Sequence, residues 1–147
     1  ELALACDLRL ASLGASFAVP EVTLGTICGA GGTQRLPRLI GETRAKEMIF
    51  TGREITAETA REWGLVNGVF TAGSLLEETL NLAEEIARNS PYAVTRAKRS
   101  VNGGREMLLE EALEWERSLF GECGESRDRK EGMTAFLEKR PRVFTGE

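Results

Sequence analysis

At 147 residues the chain is long enough for one domain, and its 41% apolar and 29% charged residues are those of an ordinary globular protein. Its formal charge of −4 offers no global attraction to nucleic acid or to an acidic membrane surface. The chain has no histidine, which eliminates Ser-His-Asp and Cys-His catalysis and most zinc chemistry, and Cys6, Cys28 and Cys123 lie far apart without CxxC spacing, which argues for a reducing compartment and against a disulfide framework.

The chain opens at Glu1, without a start methionine, directly in an apolar run that has no helix cap, and so reads as the C-terminal part of something longer. Residues 1–5 read as the end of a helix and residues 7–11 as a half-buried strand of alternating charged and apolar side chains. A turn around Gly14 leads to a short strand, Phe17-Ala18-Val19, which runs into Pro20. Val22, Leu24 and Ile27 then form a short apolar run, expected to be buried around Glu21, and residues 26–32 read as a loop. A helix is expected from Thr33 to Gly41 with Pro37 in its first turns, and a second from Thr43 to Thr51, ended by Gly52. Thr56 reads as the N-cap of a short helix stopped by Gly64, and residues 65–70 as a last strand.

From Ser74 onward only helical periodicity remains. Ser74 with Glu77 has the form of a capping box, and Leu75, Leu76, Leu80, Ala83, Ile86 and Ala87 would line one face. Ser90-Pro91 restarts a helix that Gly103-Gly104 stops. A third helix is expected over residues 106–120 and a fourth after Ser126, before the tail that begins at Arg140-Pro141-Arg142. No segment approaches the 20 apolar residues of a membrane span. The organisation is therefore α/β over residues 1–72 and all-helical over residues 73–147.

Glu21 is the first candidate for chemistry. A carboxyl among apolar neighbours can hold and donate a proton; the alternative is a surface or helix-capping Glu. Glu1, at the edge of a buried helix or in a frayed end, could meet it only if the excursion over residues 7–19 returns the chain beside its start, as a strand–turn–strand does. Gly29-Ala30-Gly31-Gly32 lacks both the Walker and the dinucleotide pattern, and reads as a tight loop before a helix whose N–H groups face an anionic or polarised ligand. Lys139, Arg140 and Arg142 suit a helix C-terminus, and Trp63 and Trp115 read as packing residues.

Several segments together resemble enoyl-CoA hydratases of the crotonase superfamily. They are Glu-Leu-Ala-Leu-Ala-Cys-Asp-Leu-Arg at the start, Phe-Ala-Val-Pro-Glu-Val-Thr-Leu-Gly from Phe17, and Gly-Ala-Gly-Gly-Thr-Gln-Arg-Leu-Pro-Arg-Leu-Ile-Gly from Gly29. Thr51-Gly52-Arg53, Trp63-Gly64-Leu65-Val66 and the run from Glu131 to Arg140 continue the likeness, which covers the whole chain and corresponds to the second half of a family member.

The resemblance implies the C-terminal part of a crotonase-like ββα spiral core followed by a helical trimerisation region. It implies a homotrimer or hexamer, and a reaction needing no cofactor or metal, in which water adds across the 2,3 double bond of a trans-2-enoyl-CoA. Glu1 and Glu21 match the two catalytic glutamates, one ionised to take a proton from water, the other protonated to supply C2. Gly29 matches a glycine beside the reacting end of the acyl-CoA, and Phe136 and Lys139 a region that reaches the CoA moiety, often of a neighbouring subunit. Both oxyanion-hole donors would lie upstream of Glu1, so residues 1–147 alone would be inactive. Val19 stands where many hydratases have glutamine and Cys28 where many have proline. The likeness also admits a methylglutaconyl-CoA hydratase, an enoyl-CoA isomerase, or a non-catalytic oligomerisation or RNA-binding fragment, although the net charge counts against nucleic acid. The compartment expected is the bacterial cytoplasm or the mitochondrial matrix.

Overall fold

The computed structural model describes residues 1–147 and divides into two units, Glu1–Leu80 and Asn81–Glu147. The first unit begins with one 3₁₀ turn, Ala3–Ala5, where a helix end was expected. Strands β1 (Leu10–Ser12) and β2 (Ser16–Phe17) lead to a second 3₁₀ turn, Glu21–Leu24. Helices α1 (Gly32–Ile40) and α2 (Glu42–Thr51) follow, then β3 (Ile55–Thr56), α3 (Ala57–Glu62) and β4 (Gly68–Phe70). β1 pairs with β4 in parallel, with Ala11 opposite Val69, a pairing that needs the long helical crossover between them. β2 and β3 form a separate antiparallel pair, Phe17 opposite Ile55.

Leu36 and Ile40, one turn apart on α1, are buried with Ala45 and Met48 of α2, Ala57 and Ala60 of α3, and Leu65, Val66 and Ala11. Burial of a side chain such as Leu36 contributes roughly 1.5–3 kcal/mol. Arg9 fastens β1 to the segment before β4: its Nε donates to the Leu65 carbonyl at 2.7 Å, and its N–H donates to Asn67 Oδ1 at 2.9 Å.

α1 starts at Gly32, one residue before the expected Thr33, with Pro37 in its second turn. Two expectations need correction in this unit. β4 begins at Gly68 because the N–H groups of Leu65 and Val66 donate to the Ala60 carbonyl and close the end of α3. The run around Glu21 is not buried: Leu24 is 81% and Ile27 67% exposed. A four-residue 3₁₀ turn rotates successive side chains by about 120°, so this short run cannot keep them on one inner face.

Helix α4 (Leu75–Ala87) starts in the first unit. Its entry differs from the expected Ser74–Glu77 box, since the Ser74 N–H donates to Thr71 Oγ1 at 3.2 Å and the two hydroxyls share a 2.8 Å bond. None of its residues is fully buried. The second unit carries α5 (Pro91–Gly104), α6 (Leu109–Glu125) and α7 (Arg127–Glu138). Ser90 caps α5, accepting from the Ala93 N–H at 3.1 Å, and Ser126 caps α7, accepting from the Arg129 N–H at 3.0 Å, as their positions predict.

Trp115 of α6 lies against Gly103 of α5, where a Cβ would stand 3.0 Å from the indole nitrogen. Arg96 and Arg99 of α5 both reach Glu122 of α6, at 3.1 and 3.6 Å. α6 extends to Glu125, past the expected stop at Phe120. Of the apolar residues Met107, Leu108, Leu113, Leu119 and Phe120 in the expected third helix only Leu119 is buried; the others are exposed, as are Met133, Phe136 and Leu137 on α7.

Candidate active site

The site is built where the chain returns to its own start. After β1, β2 and Pro20, Glu21 opens the second 3₁₀ turn and stands half-buried. The loop that follows carries Cys28, 5% exposed, down into the core of the first unit and back up to the start of α1. Gly31 holds φ at 104°, a left-handed conformation that suits glycine, and presents the N–H of Gly32 outward at the head of the helix. That N–H donates to Glu1 Oε1 at 2.6 Å, and the Ala30 N–H donates to the same oxygen at 3.0 Å.

The glycine loop therefore serves an anion, but the anion is the chain's own. The expected ligand of the α1 N-terminus is the Glu1 carboxylate, brought from 31 residues away. Gly32 has no room for a side chain: a Cβ there would lie 2.9 Å from Glu1 Oε1 and 2.8 Å from Cys28 Cβ. Arg35, one turn into α1, crosses Gly31 and donates from Nη1 to the Ala30 carbonyl at 2.9 Å, which fixes the peptide between the two N–H donors.

Cys28 bonds one carboxylate and packs beside the cradle of the other. Its Sγ donates to Glu21 Oε2 at 3.4 Å, and its Cβ and Sγ lie 2.8 and 3.0 Å from where a Gly32 Cβ would stand. Burial pushes the thiol pKa up, and the hydrogen bond to Glu21 and the charges of Glu21 and Glu1 push it further in the same direction. The thiol stays protonated at neutral pH. It is a donor, not a nucleophile.

Glu1, Glu21 and Gly29 thus belong to one short constellation in the first unit, with Gly29 exposed and open space where its Cβ would be. Phe136 and Lys139 belong to the second unit. Phe136 is 79% exposed on α7, and Lys139 follows it with φ 53°. With Gly132, Ala135, Arg140 and Arg142 they line a cavity of about 330 Å³. No three Cys, Asp or Glu side chains gather as a metal would require. Sequence reasoning missed the parts of Ala30, Gly32 and Arg35 in holding Glu1, and that of Cys28. The signal available was the Gly-x-Gly-Gly spacing itself, two glycines flanking a helix start.

Residues 1–147 match the model of the enoyl-CoA hydratase/isomerase family. The chain belongs to this family. It is 48% identical over 144 residues to the mitochondrial enoyl-CoA hydratase of Pongo abelii, covering 98% of this chain and 50% of that protein. It is 45% identical to the 2,3-dehydroadipyl-CoA hydratase of Escherichia coli K12, over 99% of this chain and 57% of the relative. A crystal structure of the Bacillus anthracis enoyl-CoA hydratase superposes with a TM-score of 0.96 at 47% identity, over 98% of this chain and 56% of that one. The chain spans about half the length of the curated relatives it matches. The α/β crotonase-type fold implied by the resemblance is thereby shown.

Proposed function

We propose that the protein carrying this chain is an enoyl-CoA hydratase, adding water across the 2,3 double bond of a trans-2-enoyl-CoA thioester in acyl-CoA catabolism. The observation that carries this reading is two carboxylates tied to one loop, Glu21 bonded to the buried Cys28 thiol that opens it and Glu1 held by the backbone N–H groups of Ala30 and Gly32. The family supplies the reaction class, and the pair supplies two groups able to work in opposite protonation states.

In this reading Glu1 is the base. Its Oε1 is fixed by Ala30 and Gly32, which leaves its second oxygen to take a proton from water as the oxygen of that water bonds to C3. Glu21, protonated, gives its proton to C2. The C2=C3 π pair becomes the new C2–H bond, and hydroxide from water becomes the 3-hydroxyl. Proton return from Glu1 to Glu21 through product or solvent resets the pair. Gly29 borders the acyl end, and Phe136 and Lys139 reach the CoA moiety held by a neighbouring subunit, with no cofactor beyond the thioester itself.

The exposed apolar side chains of α6 and α7 support a homotrimer or hexamer, in which a neighbouring subunit would cover them. No helix is long and apolar enough to cross a membrane. Relatives named as mitochondrial and relatives from bacteria support a mitochondrial matrix or bacterial cytoplasmic setting.

The test is hydration of crotonyl-CoA by the intact protein, followed by loss of the enoyl-thioester absorbance. Glu1→Gln and Glu21→Gln are each expected to lower kcat by about 10²–10⁴-fold. Near-normal turnover in either variant removes that residue from the mechanism.

A further inference from the structure

We infer that Cys28 is a positioning residue for Glu21: its S–H donates to Glu21 Oε2 and so commits Oε1 to the proton transfer at C2. This rests on the hydratase reading for the reaction it serves, and on geometry for the contact itself. Glu21 sits at the head of a 3₁₀ turn, half-buried, with exposed neighbours on its C-terminal side. Such a side chain has rotamer freedom to lose, and an acid that must deliver a proton to one carbon gains from losing it in advance.

The thiol is well placed to supply that restraint. It is buried in the hydrophobic core of the first unit, so its own position is fixed by packing. It lies 3.4 Å from Oε2, a hydrogen-bond distance for sulfur, and its Cβ and Sγ stand beneath Gly32, whose N–H holds Glu1. One side chain therefore sets the place of the acid and floors the cradle of the base. Its raised pKa suits the role, because a protonated thiol can donate and adds poorly to the electrophilic enoyl thioester beside it.

Two measurements test this in the intact protein. The first is the infrared S–H stretching band of Cys28, identified as the band lost on Cys28→Ala. It is expected at a hydrogen-bonded, lowered frequency and is expected to rise when Glu21→Ala removes the acceptor. A band that does not respond to Glu21→Ala overturns the contact, whatever the protein catalyses. The second is a kinetic series. Cys28→Ala is expected to lower kcat for crotonyl-CoA by about five- to tenfold with KM nearly unchanged, the size of effect one hydrogen bond carries, while Cys28→Ser, which keeps a donor, retains most of it. A Cys28→Ser loss as large as that of Cys28→Ala overturns the positioning role. Absence of hydration by the wild-type protein would instead break the hydratase reading, and the infrared result would still decide the Cys28–Glu21 bond.

Discussion

The two units each hold a carboxylate with backbone N–H groups, and they do it to opposite ends. In the first unit both N–H donors go to one oxygen of Glu1, which stays half-buried. In the second, Asp128 is 2% exposed and both of its oxygens are engaged. Oδ1 accepts from the N–H groups of Thr145 and Gly146 at 2.8 and 3.1 Å, and Oδ2 accepts from the Ser90 hydroxyl at 2.5 Å. A carboxylate whose lone pairs are all taken can tie a tail to a helix cap and do nothing else. One restrained through a single oxygen keeps the other for chemistry. On the proposed mechanism the count of donors per oxygen, more than burial alone, is what separates Asp128 from Glu1.

The sharpest way to break this comparison is to exchange the consequences. Neutralising Glu1 by Glu1→Gln should remove hydration by the factor given above and leave Tm near the wild-type value, as a thermal melt would read. Gly32→Ala comes next. Its Cβ would overlap Glu1 Oε1 and Cys28 Cβ, so the base must shift. A displacement of this kind is expected to lower kcat about 10²-fold and to destabilise by about 1–3 kcal/mol through overpacking. Full activity with an unchanged Tm would mean the cradle is loose enough to move, and would remove the reason for glycine there.

How much of this was readable beforehand depends on the range of the interaction. Ser90-Pro91, Gly104, Ser126 and the stop at Gly52 are local signals acting within a turn, and they delimit α5, α7 and the end of α2 where expected. α4 starts after Ser74 as expected, but the box with Glu77 does not form, because Thr71 and Ser74 both carry hydroxyls able to cap and only the backbone decides which one accepts. The Pro20-Glu21 and glycine-loop signals were likewise local and legible. The bond from Gly32 to Glu1 was not. It joins a main-chain donor, which has no letter in the sequence, to a side chain 31 residues earlier. The exposure of Leu24 and Ile27 was missed for a related reason, since hydropathy marks which residues favour burial and not whether this chain has a surface to bury them against.

Asp128→Asn turns the comparison the other way. An amide can replace the carboxylate in shape, but it must aim an N–H₂ at the donors on one side. The tail should loosen from α7 and Tm should fall by several degrees, while turnover per folded molecule stays at the wild-type value. A fall in turnover at constant Tm would assign Asp128 to the reaction and collapse the distinction.

The smallest effect expected is a matter of pH. Glu131 of α7 accepts two hydrogen bonds from Arg140, at 2.6 and 2.8 Å, and one from the Val143 N–H at 2.9 Å. The Arg140 bonds, then the Val143 bond, hold its carboxyl pKa at about 2, against burial, where 4.5 is ordinary. Asp128 is also held low: burial raises its pKa, and the bonds from Ser90, Thr145 and Gly146 outweigh that. Both are depressed acids, so the unfolded chain binds their protons first as pH falls. Their contribution is complete above the ordinary carboxylate range and, for Glu131, is lost between about 4.5 and about 2. Since Glu131 meets Arg140 near the surface, solvent screens the pair and its share is modest. Melts across that window should show Tm falling with acid in the wild type, and falling less steeply in Glu131→Gln. Identical slopes would mean the strap on α7 contributes nothing to the acid sensitivity, which would then rest on the other carboxylates held low, Asp128 and Glu42.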